Sequence, residues 1–173
     1  MLHRISVGEE LPSAVVAQLE NGSPKGVPIR SLGKGRNIML VGMPGAFTPI
    51  CSRHHIPNLI QNQWQLQKSG VDGIYCVTVN DPWVMQIWAA SFGTECAISF
   101  LSDSNHDFLA KCGLLVPALD LYLGMISARF AMIVRDNVVA RLSVESKYTE
   151  LTCTSAEAMI AIEAIGAAHG APA

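Results

Sequence analysis

The stretch GMPGAFTPICSRHHIP, residues 42–57, decides how the chain is read. It begins where an apolar run, NIMLVGM over residues 37–43, stops at Pro44-Gly45. A short run that is apolar throughout is the pattern of a strand buried on both faces of a parallel sheet. Downstream, Thr48 suits an N-cap and Pro49 the first helical position, where its missing N–H is not needed. Ile56, Leu59, Ile60 and Trp64 follow as the apolar positions of a helix expected from Pro49 to Lys68. Pro57 lies inside that helix and predicts a kink, because its ring lacks a donor and crowds the preceding turn. Gly70 ends it, and GIYCVTVN, residues 73–80, supplies a second buried strand. Strand, helix and strand in this order form a right-handed βαβ unit.

Outward from this unit, the first 35 residues are rich in turn formers (Asn21-Gly22, Pro24, Gly26, Gly33, Gly35) and predict one or two short outer strands. Asp81-Pro82 repeats the cap-plus-proline start, with a helix to Phe92. AISFLSD (97–103) reads as a strand, followed by a short helix over 105–112. ARFAMIV (128–134) and VVARLSV (138–144) flank Arg135-Asp136-Asn137 as an antiparallel hairpin. Thr154-Ser155-Ala156-Glu157 has capping-box spacing and opens a last helix, to Ala167. The expected fold class is α/β of thioredoxin-like type: a central mixed sheet flanked by helices.

The chain has 173 residues, which fits a single domain over 1–173. Half of the residues are hydrophobic and 15% charged, which excludes a disordered chain. The net charge is −2 without a Lys/Arg cluster, so nucleic acid is not an expected partner. No apolar run approaches the roughly 18 residues a membrane span needs. The opening MLHRISVGEELPSAVV lacks a signal-peptide core and reads as the start of the fold. Five cysteines without a CxxC imply reduced thiols in an intracellular compartment, cytoplasmic or organellar.

Cys51 admits several readings. With Thr48 as N-cap it falls at the third helical position, facing the unpaired N–H groups of the helix start. Activated cysteines ionise about two to three units below a free thiol, which needs about 3–4 kcal/mol of thiolate stabilisation. A helix end supplies about 0.3–1 kcal/mol, and about 2 in a favourable site, so a nearby cation is required as well. A buried packing thiol is the plainest alternative. A metal site of Cys51, His54 and His55 is disfavoured because adjacent histidines diverge by about 100° on a helix. A hydrolase with His54 as base lacks an evident oxyanion sequence or orienting carboxylate.

Pro44-Gly45-Ala46-Phe47-Thr48-Pro49-Ile50-Cys51 resembles the Pro-x-x-x-Thr-x-x-Cys signature of the peroxiredoxins, and the fuller stretch resembles their type II or type V subfamily. The likeness continues through VGEELPSAVV, VTVNDPWVMQIWA (77–89), LGMISARFAMIV (123–134) and VESKYTELTC (144–153), in order and at the right spacing. The resemblance implies a thiol-dependent peroxidase that reduces hydrogen peroxide and organic hydroperoxides without metal or organic cofactor. It implies Cys51 as the peroxidatic nucleophile, oxidised to a sulfenic acid. Thr48 matches the threonine that bonds the thiolate and incoming peroxide, Pro44 the proline that shields the sulfur, and Arg129 the distant arginine that supplies the cation. Arg53 is the runner-up cation and is expected at the surface. Trp88 is expected in the core and Trp83 on the loop surface beside the site; His54 and His55 receive only a packing or polar-support role.

The same resemblance leaves two candidate resolving thiols, Cys153 in the loop before the last helix and Cys76 in a central strand, with a one-cysteine cycle resolved by an external thiol as the alternative. Loops yield more readily than strands, which favours Cys153; Cys96 and Cys112 are expected to be structural. Thioredoxin, glutaredoxin or glutathione is the implied reductant, and a homodimer through loops around the site the implied assembly. Ile126 stands where plant-type relatives often carry a basic residue, which bears on the polarity of the pocket rim or the dimer face; a more apolar rim would favour organic hydroperoxides. The alternative to an enzyme is a non-catalytic redox sensor or holdase using the same oxidisable cysteine, which turnover separates from it.

Overall fold

The computed structural model describes residues 3–161. Seven strands form one sheet, in the order Ser23–Pro28 (β2), Val15–Glu20 (β1), Ile98–Ser102 (β5), Gly73–Thr78 (β4), Asn37–Gly42 (β3), Phe130–Arg135 (β8) and Val138–Val144 (β9). Its centre is the parallel trio β3 (Asn37–Gly42), β4 (Gly73–Thr78) and β5 (Ile98–Ser102). β8 (Phe130–Arg135) runs antiparallel beside β3 and leads into β9 (Val138–Val144). On the other side lies the hairpin of β1 (Val15–Glu20) and β2 (Ser23–Pro28), turned at Asn21-Gly22, both with positive φ. β2 holds Pro24 and Pro28, which an edge strand tolerates because its outer N–H groups need no partner. The mixed sheet, with helices packed against it, is the thioredoxin-like architecture expected.

Alternation along the central strands divides the core into two layers. Ile38 and Leu40, Tyr75 and Val77, Phe130 and Met132 face one layer. Met39, Val41 and Met43, Ile74 and Cys76, Ala131 and Ile133 face the other, together with Cys51, Ile56, Leu59, Met85 and Trp88. Burial on both faces explains why NIMLVGM and GIYCVTV show no polar alternation. The second layer is closed by α2 (Ile56–Lys68) and α3 (Pro82–Ala90), the connections on either side of β4. Asp81 caps α3 as predicted, its carboxylate accepting from the N–H groups of Trp83 and Val84. Gly42 ends β3 where Phe130 crosses it; a Cβ there would lie 2.0 Å from the ring.

Several elements depart from expectation. Pro57 produces a wide turn: Cys51–His55 is a π-helix in which the Ile56 N–H donates to the Cys51 carbonyl. A proline N-terminally flanked by wide spacing avoids the clash with the carbonyl four residues back. Trp64 is not a core position of α2; it is 61% exposed with the Lys68 ammonium 3.7 Å from its ring centroid, and Leu66 is buried instead. The hairpin turn is two residues, Asp136 and Asn137, both left-handed, with Arg135 inside β8. α1 (Ile29–Gly33) was not foreseen, nor the small sheet of β6 (Leu115–Pro117) and β7 (Met125–Ser127). The helix over 105–112 shortens to α4 (Asp107–Lys111). The last helix starts at Ala156, with the Ser155 hydroxyl accepting from the Ala158 N–H, one residue later than the capping box predicts. Its expected end at Ala167 lies outside the described residues.

Candidate active site

The loop after β3 delivers Cys51 to the base of the wide turn. The Ala46 N–H donates to Oδ1 of Asn80 at 2.8 Å, which ties this loop to the chain just past β4. The Thr48 carbonyl accepts the Ser52 N–H at 3.0 Å, so helical bonding starts at Thr48 as expected. Its hydroxyl, however, does not cap the helix: it donates to the Gly45 carbonyl at 2.8 Å. With its proton so placed, the oxygen's remaining lone pairs are acceptors. Ser52 Oγ accepts from the Trp88 indole N–H at 3.0 Å, linking the first turn to α3 through a core tryptophan.

Cys51 is fully buried. Arg129, the residue just before β8 and itself 1% exposed, brings Nη2 to 3.5 Å from its sulfur. The guanidinium is held at each end. Nε and Nη2 donate to the Tyr148 carbonyl at 3.1 and 2.8 Å, and Nη1 donates to Nδ1 of His55 at 3.0 Å. These partners are a carbonyl, an imidazole and a sulfur, none of them a carboxylate, so the positive charge is not neutralised at contact distance among the described residues. A guanidinium thus stands against the Cys51 sulfur, while Arg53 is exposed, as expected.

His55 was given only a supporting role by the sequence, and it is a central member of the site. It is fully buried, and its Nε2–H donates to the Thr154 carbonyl at 3.0 Å, leaving Nδ1 as the acceptor for Arg129. Burial first, and then the charge of Arg129, lower its pKa to about 4; the Thr154 carbonyl and Glu145 act in the opposite sense. Behind Thr154 stands Glu145, whose carboxylate accepts four hydrogen bonds from the N–H and hydroxyl groups of Thr152 and Thr154. Burial raises the Glu145 pKa, but these bonds outweigh it and hold the carboxyl at about 2. His54 is exposed, and no group of three metal-ligating side chains occurs among the described residues.

A pocket of about 310 Å³ opens over this constellation, with Pro44, Thr48 and Arg129 in its lining beside Leu121, Leu123 and Tyr148. It brings three of the four predicted catalytic side chains together next to the fourth. Its apolar wall has a different source from the one expected: Ile126 is 1% exposed within β7 and forms no rim, whereas Leu121 and Leu123 do. Of the remaining thiols, Cys76 is buried in β4 in the same core layer as Cys51, and burial pushes its pKa well up. Cys153 is half-buried in the loop before the last helix; burial and the neighbouring Glu145 raise its pKa too. Cys112 is buried and pushed up to about 12, and Cys96 is half-buried and raised by desolvation.

Residues 6–160 match the family model described as Redoxin. The chain is 37% identical over 160 residues to Peroxiredoxin-2E, chloroplastic, of Arabidopsis thaliana, spanning 90% of this chain and 68% of that protein. It is 36% identical over 154 residues to Peroxiredoxin-2B of the same plant, spanning 88% of this chain and 94% of that one. Among solved structures, reduced Prx3 of Vibrio vulnificus in complex with hydrogen peroxide superposes with a TM-score of 0.86 at 34% identity, covering 92% of this chain and 99% of that one. Agreement of this extent, in sequence and in fold, places the chain in the peroxiredoxin family.

Proposed function

We propose that the protein is a thiol peroxidase in which Cys51 is the peroxidatic cysteine. The observation that carries the reading is the contact of Arg129 Nη2 with the buried Cys51 sulfur, at the base of a pocket lined by Pro44 and Thr48. The Cys51 thiolate attacks one oxygen of a hydroperoxide; the S–O bond forms as the O–O bond breaks, and the displaced oxygen leaves as water or an alcohol after taking a proton. Arg129 stabilises the sulfur anion before attack and the charge on the departing oxygen during it. Thr48, its own proton already donated, accepts the O–H of the peroxide. Pro44, buried at the pocket wall, keeps water from the sulfur.

The sulfenic acid condenses with a second thiol, forming a disulfide and releasing water. Cys153 is our candidate ahead of Cys76: it sits in a half-buried loop, whereas Cys76 is fixed in a central strand. An external dithiol such as thioredoxin, or glutathione with glutaredoxin, then restores both thiols. Phe47 and Tyr122 stand exposed on loops beside the site, which supports a homodimer formed through this surface; Trp83, expected on a loop, is exposed on the first turn of α3 instead. The five unpaired thiols suit a reducing, intracellular compartment. No helix among the described residues is long and apolar enough to cross a membrane.

The test is peptide mapping without reductant, after fully reduced protein meets one equivalent of hydrogen peroxide. Oxidation confined to Cys51, or linking it to a partner thiol within seconds, is the expected result. A Cys51 that stays reduced removes the peroxidase reading. Repeated consumption of peroxide with dithiothreitol present separates an enzyme from a one-shot redox sensor.

A further inference from the structure

The loop between β6 and β7 reaches over the pocket and is tied down from the opposite side. Its single turn of 3-10 helix, Leu119–Leu121, carries Asp120, and the two leucines that wall the pocket, Leu121 and Leu123, flank its end. Backbone bonds close the loop on itself: Leu121 and Leu123 N–H groups donate to the Ala118 carbonyl, and Ala118 N–H to Gly124. These fix the loop's shape but leave its distance from the catalytic arginine unspecified. That distance is set by Tyr148, whose hydroxyl donates to the two carboxylate oxygens of Asp120 at 3.0 and 3.1 Å. Its main-chain carbonyl meanwhile receives two hydrogen bonds from Arg129. One residue thus joins the catalytic guanidinium, through its backbone, to the apolar wall, through its side chain.

We propose that Tyr148 and Asp120 form a latch that holds Leu121 and Leu123 at the spacing an apolar hydroperoxide tail requires, and so selects organic hydroperoxides over hydrogen peroxide. The inference rests on the peroxidase reading and deepens it. A pocket of about 310 Å³ is at the lower end of small-molecule sites. Hydrogen peroxide, comparable to a water molecule or two at about 30 Å³ each, occupies the floor and does not reach the leucines. An aryl or branched alkyl hydroperoxide fills the space and buries its tail against them. Positioning of the wall therefore acts on one class of substrate and not on the other. The hydrogen bond to Asp120 also raises the pKa of the Tyr148 phenol, so the latch keeps its proton at neutral pH. Tyr148 acts on the substrate's tail through the leucines and is a positioning residue.

The test compares second-order rate constants for Cys51 oxidation by cumene hydroperoxide and by hydrogen peroxide, followed by quench and mass spectrometry so that no reductant enters. In Asp120→Ala and in Tyr148→Phe the cumene-to-hydrogen-peroxide ratio is expected to fall by about fivefold, the effect of one ordinary intramolecular hydrogen bond. The double variant is expected to fall no further, since either change alone opens the latch. A ratio that stays at the wild-type value in both single variants overturns the latch, whether the two rates drop together or not at all. Additive losses in the double variant overturn it too. Wild-type protein whose Cys51 neither peroxide oxidises overturns the peroxidase reading itself, and that outcome is visible before any variant is made.

Discussion

Arg129 Nη1 donates to His55 Nδ1 at 3.0 Å, and the same guanidinium reaches the Cys51 sulfur with Nη2 at 3.5 Å. The histidine can accept this bond only while neutral, because its other nitrogen already spends its proton on the Thr154 carbonyl. A protonated His55 would set two cations against each other in a buried site. The arginine's aim at the sulfur therefore depends on a buried base being kept uncharged, which burial and Arg129 itself ensure.

Replacing His55 with alanine should slow Cys51 oxidation by about tenfold, the rate equivalent of one lost hydrogen bond to a charged group. It should also destabilise the fold by about 2–3 kcal/mol, since a buried side chain is removed and the Thr154 carbonyl loses its donor. Rapid-quench mass spectrometry and urea unfolding measure the two effects separately. An unchanged oxidation rate in a folded variant would mean that the Tyr148 carbonyl alone orients Arg129.

Stability should decline with acid across a window that His55 defines. Its pKa is 6.5 as a free side chain and about 4 in the fold. Between those values the unfolded chain binds the extra proton, so the stabilisation is complete above 6.5 and lost as pH falls toward 4. The loss amounts to about 3 kcal/mol when the window is crossed. Glu145 adds loss of the same sign at lower pH: its contribution is present above 4.5 and disappears toward about 2. Urea midpoints taken above and below the window check the claim, and a flat profile from neutrality down to pH 4 contradicts it.

The sequence made the strand–helix–strand unit legible because its signals are local: apolar runs, a cap and prolines within a few residues of each other. Thr48, Pro49, Cys51 and Arg129 were readable once the motif was seen. His55 was not, because its role depends on Arg129 and Thr154, 74 and 99 residues away, which only the sheet brings alongside. Glu145 and Tyr148 escaped for the same reason, lying in a loop with no periodic pattern. Ile126, expected at the pocket rim or the dimer face, is instead turned inward by a short strand, β7. Pro57 gave the place of the helix distortion but not its form, since a kink and a wide turn relieve the same clash.

Arg129→Met should lower the Cys51 oxidation rate by about 10²–10³, the range seen when one preorganised donor to a developing anion is removed. Arg129→Lys should recover only a small part of this. One ammonium on a flexible stem cannot serve the sulfur, the imidazole and the Tyr148 carbonyl at once, as the fixed fork of the guanidinium does. A lysine variant at wild-type rate would show that charge alone suffices and that the geometry of the guanidinium fork is incidental.

Resolution of the sulfenic acid is expected to distinguish Cys153 from Cys76. Cys153→Ser should leave a trappable sulfenic acid on Cys51 after one equivalent of peroxide, while Cys76→Ser should still form a disulfide. Cys51 is fully buried beneath the wide turn, so pairing with a loop cysteine requires that turn to open and carry the sulfur outward. Ser52 is the next residue and accepts the Trp88 indole N–H, so opening breaks a bond to a core tryptophan. Tryptophan fluorescence should therefore change in step with disulfide formation in wild type and in Cys76→Ser, and only weakly in Cys153→Ser. A Cys51–Cys76 disulfide that forms with the fluorescence unchanged would instead place resolution inside the core, between two thiols of one layer, without the turn opening.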